Sequence, residues 1–400
     1  MSIEKSASLE RRLGGGLVLV KNGIVPSSEQ TQKFRLLQRY SLGADAFYVE
    51  PGLVADALYP LKLKRMQDIR QLQILTTASV GWRVLGSRGP HTFPHKRLIH
   101  CLRAGALHGV VCQVLGHSPN ESVIGILLDC GHDVFTCAGG DSWKDINHQK
   151  TLFDEDEDFA GKIFRYFGDG WNHLCLKYGF DPEKTAQTMQ EIIDGRGLRG
   201  EIHEIADTAS YMLGDLEEIG KVADNLDDAE DFREILNFAK SPWDIWHCLK
   251  EEDGHIVATD PLTLNNFLLL RVMLWKNLYQ NPRRKVLEVL LQKIVYPWLV
   301  SRQLIKISDL PTRGDSWLFS VVERQMGWET GQSSDLNLLG SFPRLKAFAT
   351  WNEALAFEEE KYKSGAFTLV FSVKDFQKTN SKTDKYLVFG PDGRVDTFKA

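Results

Sequence analysis

The sequence has no long apolar segment. None of its stretches approaches the roughly 18 consecutive apolar residues that a membrane-spanning helix needs. The apolar run near the N-terminus ends at Lys21 and is too short for the core of a signal peptide. The six cysteines are scattered and form no Cys-x-x-Cys pair, so neither a disulfide framework nor a zinc ribbon is suggested. We therefore expect a cytoplasmic protein that does not enter a membrane.

A strong charge of one sign is also lacking. The net charge is −5 over 400 residues, which gives no reason to expect a nucleic acid as partner. No internal repeat is visible in the sequence. The hydrophobic content of 43% is normal for a globular protein, and the length allows one large domain or two ordinary ones.

Apolar residues recur at spacings of three and four along much of the chain, which predicts a mainly α protein. The predicted helices cover 60–75, 96–115, 121–128, 158–178, 182–193, 201–220, 229–240, 262–279 and 283–300. The predicted strands cover 15–20, 46–49, 366–373 and 386–389, with a turn at Asp392-Gly393. These segments predict an N-terminal segment with a short strand (1–44), a helical domain (45–310) and a small C-terminal α/β segment (311–400).

The helix predicted at 201–220 carries a polar stripe. His203, Asp207, Tyr211 and Asp215 follow one another at intervals of four and share one face. Small and apolar residues flank this stripe, which favours a position inside the protein, where the stripe would line a pocket. A solvated helix face is the alternative that the segment alone leaves open.

A second polar cluster lies upstream. Arg97 and His100 are three residues apart on one predicted helix face, and the apolar run ILLDCGHDVF (126–135) contains Asp129 and His132. Histidine nitrogens and aspartate oxygens together can hold a divalent cation that activates water, while an arginine neutralises phosphate charge. A lone histidine in an apolar helix is more often a satisfied core residue, so each residue taken singly could be structural.

Taken in order, these motifs resemble the HD superfamily of metal-dependent phosphohydrolases, in particular its deoxynucleotide triphosphohydrolase branch. Six motifs of that branch have counterparts in the same order between residues 45 and 300: Asp68–Leu72, Arg97–Leu102, Leu128–Cys137, Asn147–Gln149, Asp207-x3-Tyr211-x3-Asp215 and Arg271-x7-Tyr279. The resemblance implies an HD-domain helical core. It also implies a nucleotide or another phosphorylated small molecule as ligand and, by analogy, a homo-oligomer.

The resemblance also implies roles for individual residues. It assigns a divalent metal ion (Mg, Mn, Fe or Zn) to His100, Asp129 and Asp207. It places His132 and His148, together with Asp129, in the catalytic group near the scissile phosphate. The implied substrate-binding residues are the phosphate contacts Arg97 and Arg271 and the sugar or base contacts Gln71, Tyr211, Asp215 and Tyr279.

The chain departs from the family pattern at several positions. Leu128 stands where the family has the histidine of its His-Asp pair, and leucine cannot bind a metal. The literal His132-Asp133 pair is not expected to replace it, because that alignment would put the doublet one turn too late. Cys137 and Gln149 stand where the family has a histidine and a glutamate.

Three functions remain compatible with this pattern. The first is a metal-dependent phosphohydrolase acting on a nucleotide or deoxynucleotide phosphate. The second is a catalytically degenerate relative that binds a nucleotide as a regulatory or assembly signal. The third is a structural protein in which the polar groups are vestigial. We favour hydrolysis, because binding alone would not require Asp129 and Asp207 to persist together with His100 and His132.

Overall fold

The structure is a computed structural model. It describes residues 17–20, 38–42, 45–49, 60–71, 95–143, 158–222, 229–239, 245–246, 248–279, 292, 296–326, 387–389 and 395–397.

The described residues are mainly helical, as the sequence predicts. The α-helices are α1 (Arg97–Val114), α2 (Pro119–Gly131), α3 (Phe159–Lys177), α4 (Pro182–Ile193), α5 (Gly197–Val222), α6 (Ala229–Phe238), α7 (Pro261–Leu274), α8 (Tyr296–Ser301) and α9 (Asp315–Met326). Short 3-10 helices lie at Leu63–Asp68, Gly140–Trp143 and Ile307–Thr312, and a π-helical turn, Trp275–Tyr279, continues α7. Among these described helices, none has both the length and the apolar character that crossing a membrane requires.

Three of these helices begin with the same local signal. Ser118, Asp181 and Asp260 precede α2, α4 and α7, and a proline occupies the first turn of each helix. Each capping side chain accepts a hydrogen bond from a backbone N–H of that turn, at 3.2, 2.8 and 3.0 Å respectively. The cap satisfies a donor that has no partner within the helix, and proline lacks the N–H that would otherwise go unpaired. These residues fix where the helices start.

Two small sheets accompany the helices. The strands β1 (Leu17–Val20), β2 (Gln38–Leu42) and β3 (Asp45–Val49) form an antiparallel sheet in the order β1-β3-β2. The hairpin of β4 (Leu249–Glu252) and β5 (His255–Ala258) is extended by β6 (Leu387–Phe389) and β7 (Val395–Thr397). Because β5 pairs with β6 in parallel, strands of the predicted C-terminal segment share a sheet with a hairpin of the predicted helical domain.

The centre of the fold is α1, which packs against α2 and α5. Almost all of its residues are buried, because both neighbours lie against it along its length. The contact with α2 depends on Gly105. A Cβ at this position would lie 2.5 Å from Sγ of Cys130 and 2.6 Å from the carbonyl oxygen of Ile126. The absence of a side chain at this position therefore lets the two helices approach closely.

Some predicted elements differ from the observed ones. Of the helix predicted at 60–75, the described residues 60–71 contain only the 3-10 helix Leu63–Asp68, because the backbone is left-handed at Lys62 (φ 53°) and extended at Ile69. The strands β2, β4, β5 and β7 and the helix α9 were not predicted from the sequence. Of the helix predicted at 283–300, the structure shows only the part that begins at Tyr296, and the strand predicted at 366–373 lies outside the described residues.

Candidate functional site

Polar side chains from α1, α2 and α5 meet at one point. His100 lies in the first turn of α1, and Asp207 lies on α5. The helix α2 ends at Gly131, and His132 follows as its C-cap residue. Because α1 packs against both other helices, these side chains come together although they are far apart in the sequence.

We define the His/Asp cluster as His100, His132, Asp133 and Asp207. Oδ1 of Asp207 lies 3.0 Å from Nε2 of His100 and 3.3 Å from Nε2 of His132. The two Nε2 atoms are 3.3 Å apart, and Oδ2 of Asp133 lies 3.4 Å from each of them. The side chain of His100 is almost completely buried, whereas that of Asp207 is 30% exposed. The cluster is therefore reachable from the side of Asp207.

The spacing within the cluster fits one metal ion. Nitrogen and oxygen ligands stand roughly 2.0–2.2 Å from ions such as zinc, so ligands of one ion lie about 3.0 to 3.5 Å from each other. The five distances given above fall in this range. His100, His132 and Asp207 thus form a buried group that could hold a metal ion, with Asp133 beside it.

Hydrogen bonds around the cluster fix the orientation of its members. Nδ1 of His132 donates to the backbone carbonyl of Asp129 (2.5 Å), which leaves Nε2 free to act as a ligand. Arg97 donates to Oδ2 of Asp133 (2.9 Å), and the hydroxyl of Thr136 donates to Oδ1 (3.0 Å). Metal-binding histidines and carboxylates are usually held by such outer partners, so the surroundings also suit a metal site.

The cluster attracts positive charge. Burial alone would lower the pKa of His132, but Asp133 and Asp207 outweigh it and raise this pKa to about 10. Burial alone would raise the pKa values of Asp133 and Asp207. However, Arg97 and the two histidines hold the pKa of Asp133 below its usual range, and the two histidines do the same for Asp207. A divalent cation can take the place of the proton on His132, because an imidazole must be neutral to bind a metal.

Asp129 lies in a neighbouring group instead of joining His100 and Asp207. It is fully buried, and its two oxygens accept hydrogen bonds from Nδ1 of His108 (2.9 Å) and Nδ1 of His203 (2.5 Å). Burial alone would raise the pKa of Asp129, but the two histidines hold it well below its usual range. Of the predicted metal ligands, the structure thus brings His100 and Asp207 together with His132, and it places Asp129 in a separate group.

The adjacent residues His132 and Asp133, which were not expected to form the metal site, contribute two of the four side chains of the cluster. Leu128 lies one helical turn before His132, is only 3% exposed and belongs to the apolar core. The expectation that a missing histidine at this position impairs the metal site is therefore not supported by the geometry. The site already contains two histidines and two aspartates without any contribution from Leu128.

We expect Leu128→His to leave metal affinity unchanged and to destabilise the fold. The new imidazole would replace well-packed apolar atoms in the core, at a cost of about 2 kcal/mol or more. Denaturant unfolding and metal titration of the wild type and the variant measure the two effects separately. A clear gain in metal affinity in the variant would show that position 128 does face the ion.

Two of the predicted substrate-binding residues, Asp215 and Tyr279, form a hydrogen bond with each other. Asp215 is fully buried, and it accepts hydrogen bonds from Nδ1 of His95 (2.7 Å) and from the hydroxyl of Tyr279 (2.5 Å). Gly214 leaves room for the ring of His95, because a Cβ at position 214 would lie 2.0 Å from Cε1 of the imidazole. Asp215 therefore joins His95 to Tyr279 within the fold, and its predicted contact with a sugar stays a prediction.

The other predicted substrate-binding residues all lie within the described part of the chain. The guanidinium of Arg271 is 5.9 Å from the ring centre of Tyr211 and has Glu204 nearby, with Nη1 to Oε1 at 3.7 Å. Gln71 is joined through its backbone N–H to the carbonyl of His95, just before α1 (2.8 Å). The predicted catalytic residue His148 lies outside the residues that the structure describes.

Three residues in this region were given no role from the sequence: Asp133, His203 and His108. Asp133 could have been found, because an adjacent His-Asp pair is itself the signal. His203 was placed on the correct helix face but was given no role. His108 carries no local signal, since its partner Asp129 is 21 residues further along the chain and lies on another helix.

Comparison with known protein families and with curated protein sequences finds no match for this chain.

Proposed function

We propose that the chain is a metal-dependent phosphohydrolase that acts on a nucleotide or a related phosphate compound. The observation that carries this proposal is the His/Asp cluster, in which the measured distances between donor atoms lie between 3.0 and 3.4 Å. The resemblance of the motifs to HD phosphohydrolases supports the choice of substrate class.

The kinds of ligand in the cluster limit which metal ion it can bind. Two imidazoles and two carboxylates suit manganese, iron or zinc better than magnesium, which prefers oxygen ligands and keeps several waters. His100, His132, Asp133 and Asp207 would hold the ion. When bound, such an ion supplies Lewis-acid polarisation of a phosphoryl oxygen and lowers the pKa of bound water.

The remaining residues have roles that follow from their charge and position. Arg97 places a guanidinium at the edge of the cluster through its contact with Asp133. Tyr211 lies on α5, the helix that carries Asp207, and the guanidinium of Arg271 lies near its ring. A phosphate ester presents negative oxygens next to a sugar or another apolar body, so a cation paired with an aromatic ring is a suitable neighbour.

Metal content and phosphate release together test the proposal. The purified protein should contain close to one equivalent of a transition metal, and a screen over nucleoside triphosphates, nucleoside monophosphates and simple phosphate esters should give metal-dependent release. Removal of the ion with a chelator should abolish release, and added Mn²⁺ should restore it. Bound metal and nucleotide without release would favour the degenerate binding module, and absence of metal binding would overturn the proposal.

A further inference from the structure

A second buried group adjoins the His/Asp cluster and has no part in holding the ion proposed above. It consists of Asp129 with His108 on one oxygen and His203 on the other. The ring of His203 packs edge-on against that of His132, with centroids 4.9 Å apart. His203 also lies one helical turn before Asp207 on α5. The group therefore adjoins the cluster through His203.

The hydrogen bonds determine which nitrogen of each histidine is available. An ionised carboxylate only accepts hydrogen bonds, so His108 and His203 both donate to Asp129 from Nδ1. In the neutral imidazole the other nitrogen, Nε2, then carries a lone pair. The side chain of His203 is 11% exposed, whereas that of His108 is 1% exposed and is packed against Gly125. Only His203 is thus placed to meet a ligand.

The same atoms are less suited to a second metal ion. Asp129, His132 and His203 lie close enough to hold one. However, both oxygens of Asp129 already accept hydrogen bonds, and Nδ1 of His132 donates to a backbone carbonyl. Nε2 of His132 faces the His/Asp cluster, and one imidazole nitrogen binds only one ion. A role in handling protons agrees better with these contacts.

We propose that His203 is a catalytic residue whose Nε2 accepts the proton of the water that attacks phosphorus, and that Asp129 is its positioning residue. In this step the water oxygen forms a bond to phosphorus while one O–H bond of the water breaks and its proton moves to Nε2. The bond from phosphorus to the leaving oxygen breaks, and that oxygen keeps the electron pair. The proton then passes from Nε2 to the leaving oxygen, which regenerates His203. This inference rests on the proposed phosphohydrolase function.

A matched pair of substitutions tests the role of His203. In His203→Asn and His108→Asn the amide nitrogen can still donate to Asp129, but the group at Nε2 is lost. If only His203 acts on the substrate, His203→Asn should lower kcat by roughly a hundredfold or more with little change in KM. His108→Asn should leave kcat within about threefold of the wild type. Metal content and calorimetric binding of a non-hydrolysable nucleotide analogue should stay unchanged in both variants.

The positioning role of Asp129 has a spectroscopic test. In protein with ¹⁵N-labelled histidine, the ring signals of His203 should show the tautomer that is protonated at Nδ1. In Asp129→Asn, an amide can no longer accept from both histidines, so this tautomer should be lost from at least one of them. Such a variant should lower kcat while it keeps its metal.

The outcomes separate this inference from the proposed function. If the wild type releases phosphate and His203→Asn behaves like His108→Asn, His203 has no catalytic role and the phosphohydrolase function stands. If His203→Asn loses its metal, His203 acts on the metal site and the inference is overturned. If the wild type hydrolyses no phosphate compound, both proposals fail.

Discussion

Asp207→Ala should lose the bound metal ion and the hydrolysis that depends on it. Oδ1 of Asp207 is the oxygen closest to the Nε2 atoms of both histidines, at 3.0 and 3.3 Å. Even the loss of a residue that only supports a ligand costs roughly ten- to a hundredfold in metal affinity, so the loss of a ligand should cost at least about a hundredfold. Metal titration by calorimetry and elemental analysis measure this effect directly.

A carboxylate outside the cluster provides the control for this substitution. Asp169 is exposed on α3, and Asp169→Ala should leave metal affinity and phosphate release unchanged. The fold should tolerate Asp207→Ala, because this side chain is 30% exposed and the change removes no core packing. Retention of a full equivalent of metal by a folded Asp207→Ala protein would rule out the cluster as the metal site.

The fold could be predicted from local signals in the sequence. Apolar residues at spacings of three and four gave the positions of α1 to α7, and capping residues mark the starts of α2, α4 and α7. The elements that were missed are short strands and the helix α9. The missed strands have only three to five residues each, too few for a clear alternating pattern. The start of α9 depends on partners far away in the chain, because Asp315 accepts hydrogen bonds from the backbone N–H groups of Gly139 and Arg70.

The candidate site was predicted only in part, and the reason lies in Asp129. Both Asp129 and Asp133 are acidic residues near the end of α2, and the sequence motif favoured the first. The two aspartates differ in the side chains that their carboxylates contact. Asp129 is held by His108 and His203 from two other helices, whereas Asp133 faces the two imidazoles of the cluster. Such long-range pairings leave no trace in local spacing.

The polar stripe on α5 shows how much a local pattern can reveal. The sequence predicted that His203, Asp207, Tyr211 and Asp215 share one face inside the protein, and the structure places all four on α5 with buried or half-buried side chains. Their partners could not be predicted. His203 contacts Asp129, Asp207 contacts the cluster histidines, Tyr211 lies near Arg271, and Asp215 joins His95 to Tyr279. One helix face thus combines the candidate ligand with the groups that support it.

Asp215→Ala should destabilise the protein strongly without removing a metal ligand. The carboxylate of Asp215 is fully buried and is the shared acceptor for His95 and Tyr279, which link the segment before α1 to the turn after α7. Leaving a buried polar group without its partner costs about 1–3 kcal/mol, so the loss of this shared acceptor should cost about 3 kcal/mol or more in the free energy of unfolding.

Tyr279→Phe removes only one of the two hydrogen bonds and should cost about 1 kcal/mol. Denaturant unfolding of the wild type and both variants measures this order. Equal stability of Asp215→Ala and the wild type would mean that Asp215 is not a structural support.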